Sequence, residues 1–80
     1  MKALARDAKQ IGNVIRSERK RKSLTQKQLA SLAGLRQASI SAIESGTPNT
    51  KLQTLLIALA ALGLEFQITP RSTDDWSVEG

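Results

Sequence analysis

The sequence predicts an all-α fold, a domain of four short helices, with a single β-strand added at its C-terminal end. Apolar residues recur at helical spacing along most of the chain, and a glycine follows three of the four helical segments. Only residues 64–69 alternate apolar and polar side chains as a half-buried strand does. We therefore expect one domain over residues 1–63, a dimerising strand over 64–70 and a flexible acidic tail over 71–80.

The first two helices are predicted from spacing and capping. The first is expected over residues 7–22, because Ile11 and Ile15 lie on one side of a helix of that length. The second begins at a capping box, in which the side chains of Thr25 and Gln28 each satisfy a backbone N–H of the other residue. Few apolar residues follow Ile15 in the first helix, so much of it is expected to face water or an anion.

A turn of three to four residues containing Gly34 separates the second helix from the third, which is expected over residues 37–45. This spacing sets two short helices at a steep angle, so the second of the pair projects and can enter the major groove of DNA. Polar outward residues alone would favour an ordinary bundle with solvated faces, but the spacing and a basic flank favour DNA. The outward residues, small or able to pair with base edges, are Gln37, Ala38, Ser39 and Ser41.

Charge is divided unevenly along the chain. Residues 1–51 hold eleven Lys or Arg and three Asp or Glu, a net +8, whereas residues 52–80 have a net −3. A basic first part is suited to a polyanionic partner. The basic run Arg19–Lys22 is expected to be a solvated helix end that favours the helix dipole, and a DNA contact is the alternative. Glu44 is expected to pair with a nearby basic residue.

The fourth helix, over residues 52–62, is apolar nearly all round, and Thr50 with Gln53 predicts a second capping box at its start. A helix without a polar face is buried on more than one side, and a lone strand needs a partner for its backbone. Both features predict a homodimer with antiparallel pairing of the two strands. The residues expected at this interface are Ile57, Leu64, Phe66 and Ile68.

Several classes of function are excluded by composition. The chain has no Cys and no His, and it has no glycine-rich phosphate loop, so we expect no enzyme, no metal, no cofactor and no small-molecule ligand. Only Phe66 and Trp76 are aromatic, which disfavours RNA or single-strand binding by base stacking. No signal peptide is recognisable, and residues 52–64 are about half the length of a membrane span, so a cytoplasmic protein is expected.

Five short motifs carry a family resemblance over about residues 11–63. They are Leu24-Thr25-Gln26, Leu29-Ala30, Ala33-Gly34-Leu35, Ile40-Ser41 and Ile43-Glu44-Ser45-Gly46. They resemble the helix-turn-helix motif of the Xre and phage-repressor family, and the strand and acidic tail further resemble HipB-type antitoxins. The resemblance implies a lambda-repressor-like domain of four to five helices in a bacterial repressor. Such a protein would bind an inverted-repeat DNA operator as a homodimer, within the nucleoid, and also a HipA-like kinase toxin.

The resemblance also implies roles for individual residues. Those expected to read bases or adjacent phosphates are Arg36, Gln37, Ala38, Ser39 and Ser41, and those expected on the phosphate backbone are Gln26, Lys27, Asn49 and Lys51. Gln26 is also expected to brace Gln37. Two residues depart from the family pattern. Arg36 replaces the usual Ser or Thr cap of the third helix, and Glu18 stands where many members have Leu, so a weak cap and looser packing are expected.

The tail contains the candidate partner-binding residues Asp74, Asp75 and Trp76, since an exposed Trp often anchors a partner pocket. Two other functions stay open. The chain could be a protein-interaction module that binds a toxin or kinase without reading DNA sequence, or a stand-alone Xre-family regulator.

Overall fold

A computed structural model describes residues 3–71, and in this part the chain forms four α-helices. They are α1 (Ala8–Arg21), α2 (Gln26–Ala33), α3 (Gln37–Glu44) and α4 (Leu52–Ala61). The predicted all-α fold is confirmed, and each helix ends within one residue of its predicted limit. Within the described residues, no helix is both long and apolar enough to cross a membrane.

The core is one cluster to which every helix contributes. Ile15 of α1, Leu29 of α2, Ile40 of α3 and Leu62, the residue that caps α4, are fully buried. Helix α3 packs against both α1 and α2, and α2 packs against α4. The third helix is therefore held on its apolar side by its neighbours, which leaves its other side to the solvent.

The start of α2 is capped as predicted. Thr25 Oγ1 accepts a hydrogen bond from the backbone N–H of Gln28 at 3.0 Å, and Gln28 Oε1 accepts one from the N–H of Thr25 at 2.8 Å. Two of the backbone N–H groups that have no partner within the helix are thereby satisfied. The helix ends at Gly34, whose φ of 68° is the left-handed conformation that glycine adopts without steric cost.

The capping box predicted for α4 is wrong. Lys51, not Thr50, occupies the N-cap position, and no side chain caps this helix. Thr50 lies one residue before the cap, and its hydroxyl donates to the backbone carbonyl of Thr47 at 3.3 Å instead. Thr50 therefore belongs to the turn after α3 and not to the cap of α4.

A close helix crossing depends on Gly12, a residue that the sequence did not single out. A Cβ atom at this position would lie 2.9 Å from the carbonyl oxygen of Glu44 and closer still to that of Ile43. Gly12 therefore allows the middle of α1 to approach the last turn of α3.

Residues 64–71 have no regular secondary structure in the single chain. Leu64 packs against the core, whereas 42% of Phe66 and 99% of Ile68 is exposed to solvent. Strand pairing between two copies is not tested by one chain and stays a prediction. The tail residues Asp74, Asp75 and Trp76 lie outside the described residues.

Candidate nucleic-acid interface

Helix α3 has one apolar face and one polar face. Ile40 and Ile43 are buried in the core, as predicted. The candidate base-reading side chains lie on the other side: Gln37, Ala38 and Ser41 are exposed, and Ser39 is half-buried. The structure thus brings these residues onto one accessible surface of a helix whose other face is buried in the core.

The start of α3 is electropositive and uncapped. Arg36 occupies the N-cap position with extended backbone, and its exposed side chain makes no capping hydrogen bond, which confirms the weak cap. No acidic residue lies in the first turn. The free backbone N–H groups and the neighbouring guanidinium form a helix end that favours an anion.

A small open cleft joins two of the predicted groups of residues. It lies between α3 and the start of α4, and its lining residues are Ser39, Ala42, Thr47, Asn49, Thr50, Lys51 and Thr54. Ser39 is a candidate for base reading, whereas Asn49 and Lys51 are candidates for phosphate contacts. The remaining two phosphate candidates, Gln26 and Lys27, are the first two residues of α2.

A buried ion pair fastens α1 to α3. Arg19 Nε donates to Glu44 Oε2 at 2.6 Å, and Arg19 Nη2 donates to Glu44 Oε1 at 3.0 Å. Arg19 Nη1 also donates to the carbonyl of Leu24 at 2.7 Å. The prediction that Glu44 pairs with a basic residue is confirmed. The prediction of a solvated basic run is wrong for Arg19, because this side chain turns inward to meet the carboxylate.

The ion pair shifts the pKa of both partners. Burial raises the pKa of the Glu44 carboxyl, but hydrogen bonds from Arg19 and Gln26 and the positive charges of Arg19 and Arg16 together lower it by more. The pKa of Glu44 therefore lies below its ordinary value. The hydrogen bond to Glu44 raises the pKa of Arg19 despite the opposing effect of burial. Both groups are therefore charged at neutral pH.

Gln26 takes part in the same network. Its side-chain Nε2 donates to Glu44 Oε1 at 3.1 Å. The described residues include no hydrogen bond between Gln26 and Gln37, so the expected brace is absent in the free chain. No sequence pattern predicts the contact actually made, because Gln26 and Glu44 are 18 residues apart.

Glu18, the second departure from the family pattern, is buried against its own helix. Arg21 Nε and Nη2 donate to its two carboxylate oxygens at 2.9 and 2.6 Å, and Lys22 Nζ lies 3.8 Å away. The hydrogen bond from Arg21 holds the pKa of Glu18 below its ordinary value. The basic residues at the end of α1 therefore differ in role, and Lys20 is the exposed member of the run without a resolved ion pair.

The candidate dimer residues come from two parts of the chain, Ile57 from α4 and the other three from the segment that follows it. Ile57 and Leu64 are half-buried, and Phe66 and Ile68 are exposed. Leu64, Phe66 and Ile68, but not Ile57, line an open groove. Its other lining residues are the N-terminal segment 3–6, Ile11 and Val14 of α1, Leu59 of α4 and the rest of residues 63–71. Leu52 and Leu56 of α4 are also exposed, which leaves apolar surface uncovered in the single chain.

Comparison of the sequence with known families gives a match to the helix-turn-helix model over residues 15–68. An uncharacterized HTH-type transcriptional regulator from Haemophilus influenzae is 43% identical over 54 residues, 68% of this chain and 55% of that protein. HigA2 from Mycobacterium tuberculosis, named as a candidate antitoxin, is 42% identical over 62 residues, 76% of this chain and 61% of that protein. The chain thus spans little more than half the length of these relatives.

Two solved structures that contain HipB are similar to this chain in fold. A HipB–O4 20mer complex has a TM-score of 0.83 and 28% sequence identity, and the match covers 89% of this chain and 100% of that chain. A HipA–HipB–O2–O3 complex has a TM-score of 0.82 and the same identity and coverage. The fold is therefore shared along nearly the whole described chain.

Proposed function

Because the chain belongs to the helix-turn-helix family, we propose that it is a sequence-specific repressor that binds double-stranded DNA as a homodimer. We further propose that it is the antitoxin of a HipA-like kinase toxin and represses its own operon. The observation that carries the DNA-binding proposal is α3: a polar, accessible face with an uncapped, positive N-terminus, fixed to the core by Ile40 and Ile43. Such a helix fits the major groove.

Sequence reading is assigned to the exposed face of α3. The amide of Gln37 can donate to and accept from adenine, Ser39 and Ser41 can pair with several bases, and Ala38 can contact a thymine methyl group. Arg36, at the start of the helix, would contact a guanine or an adjacent phosphate.

Phosphate contacts are assigned to the ends of helices. Lys27 and Lys51 are exposed cations at the starts of α2 and α4, and no acidic residue lies in the first turn of either helix. Gln26 and Asn49 add neutral donors. Contacts of this kind set the register on the duplex and make the affinity depend on salt concentration.

A two-fold protein requires a two-fold operator. Exposed Phe66 and Ile68 and the apolar surface of α4 support the proposed pairing of two copies. The two recognition helices would then reach half-sites about one or two helical turns apart on one face of the DNA. A footprint over a single half-site, with no loss of affinity when its mirror copy is scrambled, would contradict the dimeric mode.

The antitoxin role is supported by likeness to HipB, which is found in a HipA–HipB–O2–O3 complex, and to HigA2. The tail residues Asp74, Asp75 and Trp76 are the proposed contacts to the toxin. Co-expression with the kinase encoded beside this gene, where there is one, should give a complex that survives gel filtration. Truncation after residue 71 should weaken that complex and leave DNA affinity unchanged.

The proposed DNA binding is tested by selection of duplexes from a random library, followed by titration of the selected and a scrambled duplex at several salt concentrations. A repressor should prefer the selected duplex by about 10³-fold or more, with a steep loss of affinity as salt increases. Equal, weak binding to both duplexes would favour the alternative, a protein-interaction module that binds a toxin without reading DNA.

A further inference from the structure

Glu44, the last residue of α3, joins the scaffold to a residue of the proposed DNA surface. Its Oε1 atom accepts one hydrogen bond from Arg19 Nη2 at 3.0 Å and another from Gln26 Nε2 at 3.1 Å. Arg19 is held in place by the carbonyl of Leu24 at 2.7 Å. The Gln26 amide is therefore bonded to a carboxylate that is itself fixed on two sides.

This bond determines which end of the Gln26 amide faces Glu44. A carboxylate can only accept hydrogen bonds, so the amide must direct its Nε2 group and not its Oε1 atom toward Glu44. The Nε2 group carries two N–H donors, and the bond to Glu44 uses one of them. The second donor remains, on a side chain that is partly exposed at the first residue of α2.

A phosphate oxygen accepts hydrogen bonds, so it would accept one from this second donor and would be repelled by the amide oxygen. Without Glu44, the Gln26 side chain would sample several rotamers and both amide orientations. Ordering it on binding would then lower the affinity, because the lost side-chain entropy opposes association.

We infer that Glu44 is a positioning residue for DNA binding, which holds the Gln26 amide so that its second N–H can meet a backbone phosphate. The inference rests on the proposed function and deepens it. Glu44 does not touch DNA in this arrangement, because its side chain is only 4% exposed and its charge is matched by Arg19.

The test is a double-mutant cycle on DNA affinity, with duplexes obtained by selection. Gln26→Ala should weaken binding to selected and scrambled duplexes alike, by about tenfold, as the loss of one hydrogen bond to a charged group does. Glu44→Gln should weaken it by roughly threefold in the wild-type background through restored side-chain freedom. In the Gln26→Ala background Glu44→Gln should have almost no effect, because the residue it positions is gone.

Lys27→Ala is the matched control background, because Lys27 is the neighbouring phosphate candidate and has no bond to Glu44 among the described contacts. There Glu44→Gln should retain its roughly threefold effect. An equal loss in the wild-type and Gln26→Ala backgrounds would mean that Glu44 supports only the fold, and it would overturn the inference while leaving the proposed function intact. If the wild-type protein binds no duplex, the proposed function fails and the inference fails with it.

A second readout needs no DNA. In the NMR spectrum of the free protein, one Nε2 proton of Gln26 should be displaced from the position seen for the exposed Gln53, and Glu44→Gln should remove the displacement. Indistinguishable amide signals for the two glutamines in the wild-type protein would overturn the inference. If Glu44→Gln does not fold, Glu44→Asp keeps the charge opposite Arg19, withdraws the carboxylate from Gln26 and is expected to give the same cycle.

Discussion

Arg19 Nε of α1 lies 2.6 Å from Glu44 Oε2 of α3, although the two residues are 25 positions apart in the chain. The pair is almost wholly withdrawn from solvent, since the side chains are 10% and 4% exposed. Each buried charge depends on the other, because an Arg19 or Glu44 side chain alone would lack both hydration and an opposite charge.

Removal of one partner should therefore destabilise the protein strongly. Glu44→Ala is expected to lower the free energy of unfolding by about 3 kcal/mol, because it leaves the Arg19 guanidinium buried and largely unpaired. Arg19→Met combined with Glu44→Met should recover much of this loss, since no lone charge remains. Urea denaturation followed by circular dichroism measures both values. Equal losses in the single and the double variant would contradict this account.

The same pair predicts a loss of stability in acid. The pKa of Glu44 is lowered in the folded chain, so its contribution to stability is complete above the ordinary glutamate pKa of about 4.3 and is lost as the pH falls through the folded value. The wild-type protein should therefore lose free energy of unfolding on acidification from about pH 5 downwards. Glu44→Gln should lose less over that range, in denaturation curves measured at each pH. Parallel curves for the two proteins would show that another carboxylate causes the effect.

Gly12 predicts an effect opposite to that of helix propensity. Replacement of an exposed Gly inside a helix by Ala normally stabilises the protein by about 0.5–1 kcal/mol. Gly12→Ala should instead destabilise the protein by roughly 2 kcal/mol or more, because its Cβ would meet the carbonyl oxygens of Ile43 and Glu44. Thermal melting checks this.

Gly34→Ala is the matched control for Gly12→Ala. No atom lies within 4 Å of a Cβ placed at Gly34, and the only penalty is the left-handed backbone, about 1–2 kcal/mol. A melting temperature raised by Gly12→Ala would show that α1 can move away from α3 without cost.

Two variants should distinguish contacts to bases from contacts to phosphates. Gln37→Ala should cost about 1–3 kcal/mol on the selected duplex and little on a scrambled one, because it removes paired bonds to a base edge. Lys27→Ala should weaken both duplexes and reduce the salt slope by about one. Lys20→Ala, which removes an exposed cation at the end of α1, is the control and should change neither.

Because the replaced side chains are exposed, none of these variants should be destabilised. Thermal melting of each variant checks this before the DNA titrations. If Gln37→Ala weakens every duplex equally, α3 is not the reading helix, and the assignment of Ser39 and Ser41 to base recognition must be withdrawn with it.

The dimer proposed for this chain predicts a concentration-dependent mass. Sedimentation at micromolar concentration should give twice the monomer mass, and Phe66→Asp should shift the protein toward monomer, because it places a charge in the apolar contact. DNA affinity should fall with it, since two half-sites must be bound together. Leu32→Asp replaces a leucine that is 64% exposed on α2, outside the proposed interface, and should leave the mass unchanged. A wild-type monomer at these concentrations would exclude the dimer.

Local features of the sequence predicted the helices well. The contacts that the sequence did not predict join residues that are far apart in the chain. The capping box of Thr25 and Gln28 and the left-handed Gly34 depend on a few neighbouring residues, so their pattern is visible in the sequence. The bond of Gln26 to Glu44 and the ion pair with Arg19 depend on how three helices come together. Periodicity carries no information about such partners.

The errors have the same origin. A glycine inside a helical pattern reads only as a weak helix former, so the role of Gly12 became visible only beside α3. Thr50 has the sequence pattern of a cap, but α4 begins one residue later, so Lys51 occupies the N-cap position and the Thr50 hydroxyl donates to the carbonyl of Thr47.

Helix α3 is held along its apolar face by buried Ile40 and Ile43, but the residues that begin it are exposed. Its last turn is held by buried Ile43 and by the ion pair of Glu44, whereas its first turn begins at uncapped, exposed Arg36 and continues through exposed Gln37 and Ala38. Substitutions in that first turn should therefore change which bases are read while hardly affecting the stability of the domain. Variants that differ only at these exposed positions are therefore expected to differ in DNA sequence preference at nearly equal stability. The separation of the anchored residues from the proposed reading surface within one eight-residue helix thus allows sequence preference and stability to vary independently.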